Sequence, residues 1–369
     1  MGDIYIGLIS GTSMDGIDAA LVRFGDASLD ILQTHEHEYS AALRERLSAA
    51  ILDSSIATLA DVASLHRDVG ESFRDAAKVL LKNANVDAAV VKAIGSHGQT
   101  VRHEPNIERP FSLQIGDPEI IAEGTGIRTI ADFRTADIAQ GGQGAPLAPA
   151  FHEWLFRQAG TSRVILNIGG ISNVTVLAAD GAATTGFDTG PGNTLMDAWC
   201  RRIQNEAFDR NGAWSASGSV NEDLLQRLLA DSYFAAAAPK STGFEYFNLE
   251  WLDRHDLHGI DAADIQATLS ELSAVSIADA IRSCLQHECE VLVCGGGVHN
   301  IELMRRLAAA LPGFNVQSTA SAGLDPDWVE AAAFAWLAMR TTLGLPGNLP
   351  SVTGAKRATV LGATYNATR

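Results

Sequence analysis

The chain has 369 residues, 46% of them hydrophobic, and a formal net charge of −17. That length exceeds one ordinary core and predicts two domains, and the composition belongs to a globular chain, not a disordered one. The surplus of acid repels nucleic acid and anionic lipid, which argues against both as partners, and no segment reaches the ~18 apolar residues that a membrane span needs.

The first five residues lack a basic region followed by an apolar stretch, so the cytoplasm is the expected location. Residues 4–9 and 17–22 are apolar on both faces, as central strands are. Between them Asp15-Gly16 reads as a hairpin turn, with glycine supplying a positive φ. Leu59, Val62, Leu65, Val69, Phe73, Ala76 and Leu80 recur at helical spacing. A strand over 90–94 runs into Gly95-Ser96-His97-Gly98-Gln99-Thr100, and another over 126–131 ends at Asp132-Phe133-Arg134. The densest loop signal in the first half, QGGQGAP at 140–146, is taken as the domain boundary. It gives a first lobe over 1–140, a second over 141–345 and a tail over 346–369 that packs back on the first. A helix is expected over 148–158. Strand, glycine turn and strand over 164–177 repeat the architecture of the N-terminal hairpin. A helix opens at Gly192-Asn193-Thr194, a buried strand over 290–294 ends in Gly295-Gly296-Gly297, and a last helix covers 328–339. Cys200, Cys284, Cys289 and Cys294 form no CxxC pair, which fits a reducing compartment; the cluster around His287 reads as a helix end feeding a strand in preference to a zinc site.

Three apolar strands thus end in glycine-rich turns: 11–16, Gly169-Gly170 and 295–297. Glycine lets backbone N–H groups approach phosphate oxygens, although a tight turn explains each one equally well by itself. In the first turn Thr12 and Ser13 could bond phosphate, while Asp15 and Asp18 would need a cation, for which magnesium fits. There is no GxxxxGK[ST] motif and no GxGxxG in strand–helix context. Asp188, within Gly186-Phe187-Asp188-Thr189-Gly190-Pro191-Gly192-Asn193, stands just ahead of a helix start, where exposed N–H groups would favour an ionised carboxylate able to accept a proton; a capping role is the alternative. His97 and Gln99 could bond sugar hydroxyls or an amide, and Arg134 a carboxylate, with a loop histidine and an ion pair as the plainer readings. Glu330 opens the last helix, where dipole effects alone explain an acid.

GTSMDGID at 11–18 resembles the N-terminal signature of the anhydro-N-acetylmuramic acid kinase family. The resemblance continues in order through GSHGQT at 95–100, QIGD at 114–117, ADFR at 131–134, GQGAPL at 142–147, NIGGISN at 167–173, FDTGPGN at 187–193 and VCGGG at 293–297. It implies an α/β, two-lobed actin/Hsp70/sugar-kinase (ribonuclease H-like) fold with mixed sheets and an interlobe ATP cleft. ATP with Mg²⁺ would be held by Gly11, Thr12, Ser13, Met14, Asp15, Gly16, Ile17 and Asp18, by Asn167, Gly169 and Gly170, and at the adenosine by Gly295, Gly296 and Gly297. Asp188 falls on the catalytic position. Ser96, His97, Gln99, Thr100, Arg134, Asn193 and Glu330 would meet the sugar. The implied reaction opens 1,6-anhydro-N-acetylmuramic acid with water and phosphorylates O6, in murein recycling, and the implied assembly is a homodimer. Phosphorylation of an ordinary sugar hydroxyl, an actin- or Hsp70-like ATPase, and a plain hydrolase are the rivals that the residues by themselves leave open.

Overall fold

The computed structural model describes residues 2–11, 14, 16–52, 58–238, 240–285, 287 and 289–368. It forms two compact units, one of Met1–Leu155 with Trp328–Arg369 and one of Phe156–Asp327. The first contains β1 (Asp3–Ile9), β2 (Gly16–Phe24), β3 (Leu29–Glu38), β4 (Val91–Ser96), β5 (Gln99–Glu104), β6 (Phe111–Ile115) and β7 (Thr129–Ala131). The second contains β8 (Arg163–Ile168), β9 (Ile171–Leu177), β10 (Thr185–Pro191), β11 (Glu290–Cys294) and β12 (Asn315–Ser318), after which β13 (Ala363–Tyr365) rejoins the first.

The first sheet runs β13-β7-β4-β1-β2-β3 and the second β10-β9-β8-β11-β12. In both, the first three strands form an antiparallel meander and two parallel strands add on the far side of the first. The two sheets therefore share one topology, 3-2-1-4-5, with β13 as an extra antiparallel edge on β7. β5 and β6 form a separate two-stranded ribbon.

In the first unit the helix Leu59–Ala84 starts in a capping box between Thr58 and Asp61. Its buried face, with Leu65, Val69, Phe73, Ala76 and Leu80, packs on β2 and β3. Leu59 carries the same periodicity but is 91% exposed, since the face meets the core only from Leu65 onward. The helix Val329–Thr342 packs on β1, β2 and β4. Gly7 and Gly95 are register partners on β1 and β4, and a Cβ on either would lie far inside contact with the helix backbone, at the Ala331 and Phe334 carbonyls respectively. The second unit is organised around the helix Ala262–Cys284, buried along most of its length among the helices Thr194–Gln204, Glu222–Leu229 and Ile301–Ala310.

Three local expectations change. Gly16 begins β2 without a positive φ; it is glycine because a Cβ would stand 2.7 Å from the His37 carbonyl oxygen, and the positive φ belongs to Met14, at 56°. Thr12, Ser13 and Asp15 lie outside the described residues. Residues 126–131 hold only the short β7, because Gly126, at φ 72°, ends the helix Pro118–Thr125. The glycine-rich loop at 140–146 lies inside the first unit and is no boundary. The buried Asp137 carboxylate accepts from Gly144 N at 2.8 Å, Asn348 Nδ2 at 2.6 Å and Thr353 Oγ1 at 2.7 Å, and Gln143 N donates to the Thr353 carbonyl. The units instead divide at 155/156 and 327/328, so the last long helix belongs with the first sheet.

Candidate active site

The end of β4 and the start of the helix Val329–Thr342 bring His97, Arg134 and Glu330 into one cluster of the first unit. Arg134 follows β7 and directs Nη2 to His97 Nε2 at 2.9 Å and Nη1 to Ser112 Oγ at 3.4 Å. A guanidinium can only donate, so Nε2 accepts and the imidazole is neutral with its proton on Nδ1. Burial, and then the Arg134 cation, hold the His97 pKa well below its ordinary value, in agreement with that tautomer. Desolvation lowers the Arg134 pKa to about 10, against the pull of Glu330, and leaves it a cation at neutral pH. Glu330 keeps an accessible face, yet enough protein surrounds it that desolvation raises its carboxyl, with Arg134 acting in the opposite direction. Phe334 supports the cluster from one helical turn further on, with its ring 4.6 Å from that of His97. Ser96 Oγ is buried without a hydrogen-bond partner, a rare state that marks a place for a ligand or water. Ser96, His97, Ser112, Gln114, Asp132 and Tyr365 line a cavity of about 270 Å³. A larger hollow of about 570 Å³ in the second unit, beside Trp199, Arg202 and His255, contains none of the candidate residues and is open to solvent.

Gln99 has another allegiance. Ser10 Oγ donates to its Oε1 at 2.6 Å, and its Nε2 donates to the Gly11 carbonyl at 3.2 Å and the Thr100 carbonyl at 3.4 Å. The side chain is 2% exposed. Its amide is thus engaged with the strand leading into the first glycine turn, not open to a sugar. Thr100 Oγ1 accepts from Gln114 Nε2 at 3.2 Å. Ile17 is buried in the core and Asp18 half-buried beside it on β2.

In the second unit, Asp188 lies within β10 and not in a turn ahead of the helix, opposite Asn173 and next to a register shift. Its carboxylate accepts from Thr242 N at 3.0 Å, its amide donates to the Lys240 carbonyl, and its carbonyl accepts from Tyr233 Oη. Burial pushes its carboxyl up to about 6, against the Thr242 hydrogen bond and with a smaller upward push from Glu245. The sequence predicted stabilisation of the charged form; desolvation outweighs the single N–H that reaches it. The clamp from Lys240 to Thr242 was missed, since 54 residues separate Thr242 from Asp188 and no local pattern connects them.

Asn193 binds the second glycine turn to β10. Its side-chain nitrogen donates to the Ile168 and Gly169 carbonyls at 3.3 and 3.1 Å, and Gly192, Asn193 and Thr194 donate backbone N–H groups to Gly170, Gly169 and Gly170. Its amide nitrogen is thus engaged internally. At the third turn, Gly295 has φ 79° and Gly297 lies against Ile168, while a Cβ on Gly296 would meet nothing within 4 Å. Gly295 and Gly297 are therefore required by internal packing against the Asn167-Ile168 segment, and the open backbone is at Gly296.

Two units that each carry a 3-2-1-4-5 mixed sheet, with glycine-rich or polar loops at the ends of β1, β4, β8 and β11, define the actin/Hsp70/sugar-kinase class of ribonuclease H-like folds. A family profile described as anhydro-N-acetylmuramic acid kinase matches residues 3–367. Among curated relatives bearing that name, the protein of Shewanella loihica is 54% identical over 365 residues, covering 98% of both chains. Those of Shewanella baltica and Shewanella oneidensis are 52% identical over 366 residues and 51% over 365, again with 98% of both chains covered. The chain belongs to the anhydro-N-acetylmuramic acid kinase family, and it is a kinase.

Proposed function

We propose that this kinase uses ATP and water to convert 1,6-anhydro-N-acetylmuramic acid to N-acetylmuramic acid 6-phosphate and ADP, in the cytoplasm, as a homodimer and as a step of murein recycling. Family membership supports the substrate, and the observation that carries the chemistry is Asp188: a half-buried carboxylate with a pKa of about 6, fixed by Thr242 N. Such a group is mostly ionised at neutral pH and basic enough to take a proton, which is the compromise general-base catalysis favours.

In the anhydro sugar O6 is bridged to C1 and has no proton to remove. Asp188 therefore acts on water. The water oxygen bonds to C1 as its proton passes to the carboxylate, the C1–O6 bond breaks, and the electron pair released on O6 bonds the γ-phosphorus while the bond to the ADP oxygen breaks. The proton on Asp188 is then released to solvent. Arg134 is assigned to the lactyl carboxylate, and Ser96, His97, Thr100 and Glu330 to the sugar's hydroxyls and amide. Gly11, the rest of the 11–18 turn, Asn167, Gly169 and Gly170 are assigned to phosphates, and Gly296, where a Cβ would meet nothing within 4 Å, to adenosine. Among the described residues no group of three metal-ligating side chains occurs. Mg²⁺ usually arrives on phosphates and keeps several waters with one or two carboxylates; Asp18 is the described carboxylate beside the first turn. When bound, the ion would offset charge on the transferring phosphoryl group.

The test is the reaction in ¹⁸O-water with MgATP and the anhydro sugar. Label is expected at C1 of the product and absent from its phosphate. Label in the phosphate, or turnover without ATP, would overturn the proposal.

A further inference from the structure

Gln99 opens β5 just past Gly98, and by its hydrogen bonds it belongs to the entry of the first glycine turn. The Gly11 carbonyl can only accept, so the amide nitrogen must face it and the amide oxygen faces Ser10. A backbone bond from His97 N to the Leu8 carbonyl, 2.9 Å, runs alongside. At 2% exposure this pairing is shielded from competing water. Gly98 adds rigidity: its φ is 71° and a Cβ there would collide with the Ile115 carbonyl oxygen, so the loop has one backbone path past Gln99.

We propose that Gln99 is a positioning residue that couples the two ligands of the first unit: through its bonds to Ser10 and Gly11 it ties the 96–100 segment, where the sugar would sit, to the mouth of the phosphate turn, so that each ligand restrains the same stretch of backbone. ATP then binds more tightly when the sugar is in place, which restrains ATP hydrolysis in its absence. The inference rests on the ligand assignment proposed above. Its chemical requirement is one side chain that accepts from Ser10 and donates to Gly11, which a carboxamide meets and an alkyl group does not.

The test measures binding of a non-hydrolysable ATP analogue with and without 1,6-anhydro-N-acetylmuramic acid, and takes the ratio of the two dissociation constants as the coupling. In the unmodified protein the sugar is expected to tighten the nucleotide at least about fivefold, the lower end of ordinary coupling. Whatever its separate affinities, Gln99→Leu is expected to bring the ratio below about twofold. Gln99→Glu supplies the readout that a merely structural role would not move. Its protonated carboxyl can accept from Ser10 and donate to Gly11, whereas its ionised form has no donor and faces the Gly11 carbonyl with like charge. Burial raises the pKa of such an acid, so coupling in Gln99→Glu is expected at low pH and lost as pH rises, while the unmodified protein keeps its ratio over the same range. No coupling in the unmodified protein, full coupling in Gln99→Leu, or a pH-independent ratio in Gln99→Glu would each overturn the inference. Failure of the unmodified protein to bind either ligand would instead overturn the proposed function.

Discussion

Asp188 occupies a position that favours reactivity over stability. Its folded pKa, about 6, lies above the ordinary carboxylate value of 3.8. A carboxyl whose pKa is raised on folding gives stability that is fully present below its unfolded pKa and is lost as pH rises through its folded pKa. The window of loss here runs from about pH 4 to about pH 6. Asp188→Asn keeps an oxygen able to accept from Thr242 N and removes the partly desolvated charge. It is therefore expected to unfold at higher denaturant than the unmodified protein at pH 8, by roughly 1–3 kcal/mol, and to show little difference near pH 3. Turnover is expected to fall by about 10²-fold or more, the scale of a lost general base. The unmodified enzyme's kcat/KM should rise with pH through about 6 and then level, as the base becomes ionised. Denaturant curves at the two pH values together with a pH–rate profile check all three; a variant destabilised at pH 8, or a rate that falls between pH 5 and 7, would remove Asp188 from this role.

At the scale of elements, the helix Val329–Thr342 joins sheet and site. Glu330 stands in its first turn, Phe334 packs on His97, and its backbone lies directly over Gly7 and Gly95. Ala331, Ala335 and Ala338 keep that approach close. Gly95→Ala is expected to displace the helix and to cost about 3 kcal/mol, the upper part of the range for overpacking, and by moving Phe334 and Glu330 together it should raise the KM for the sugar at least several-fold. Thermal melts and KM values for both substrates check this; an unchanged KM for the sugar would show that the helix does not position the site. Elements of this kind were legible where an apolar run or helical spacing marked them: β1, β2, β4, β8, β9 and β11, the face of the helix from Leu65 and the last helix itself, whereas β3, β10, β12 and β13 were not legible as strands. The reason for Gly7 was not legible. In the sequence it is one glycine in an apolar run, and only the register partner Gly95 and the helix backbone above them explain it. The loop at 140–146 shows the reverse limit. Its composition announced a loop correctly, but its fixing by Asp137, Asn348 and Thr353 depends on contacts more than 200 residues apart in sequence.

The whole molecule repeats one topology, and the repeat orders its candidate residues. β1 and β8, the first strands of the two meanders, both run into glycine-rich turns, and β4 and β11, the next strands outward, carry the 96–100 loop and Gly295–Gly297. The sequence revealed this as parallel architecture without revealing which positions were equivalent, because strand order is not written along the chain. The net charge of −17 belongs to the same scale. ATP and a sugar acid are both anions, so the N–H groups and the Arg134 proposed to hold them would act against the field of the whole surface. Salt shortens the Debye length from about 30 Å at 0.01 M to about 8 Å at 0.15 M, which weakens long-range repulsion far more than contacts made inside a buried site. The association rate of MgATP, followed by stopped-flow fluorescence of an ATP analogue, is therefore expected to rise about two- to fivefold across that range in a non-coordinating salt such as tetramethylammonium chloride, with little change in the dissociation rate. A rate that falls with salt would mean that cations near the turns govern the approach, and that the field at the site is opposite in sign to that of the molecule as a whole.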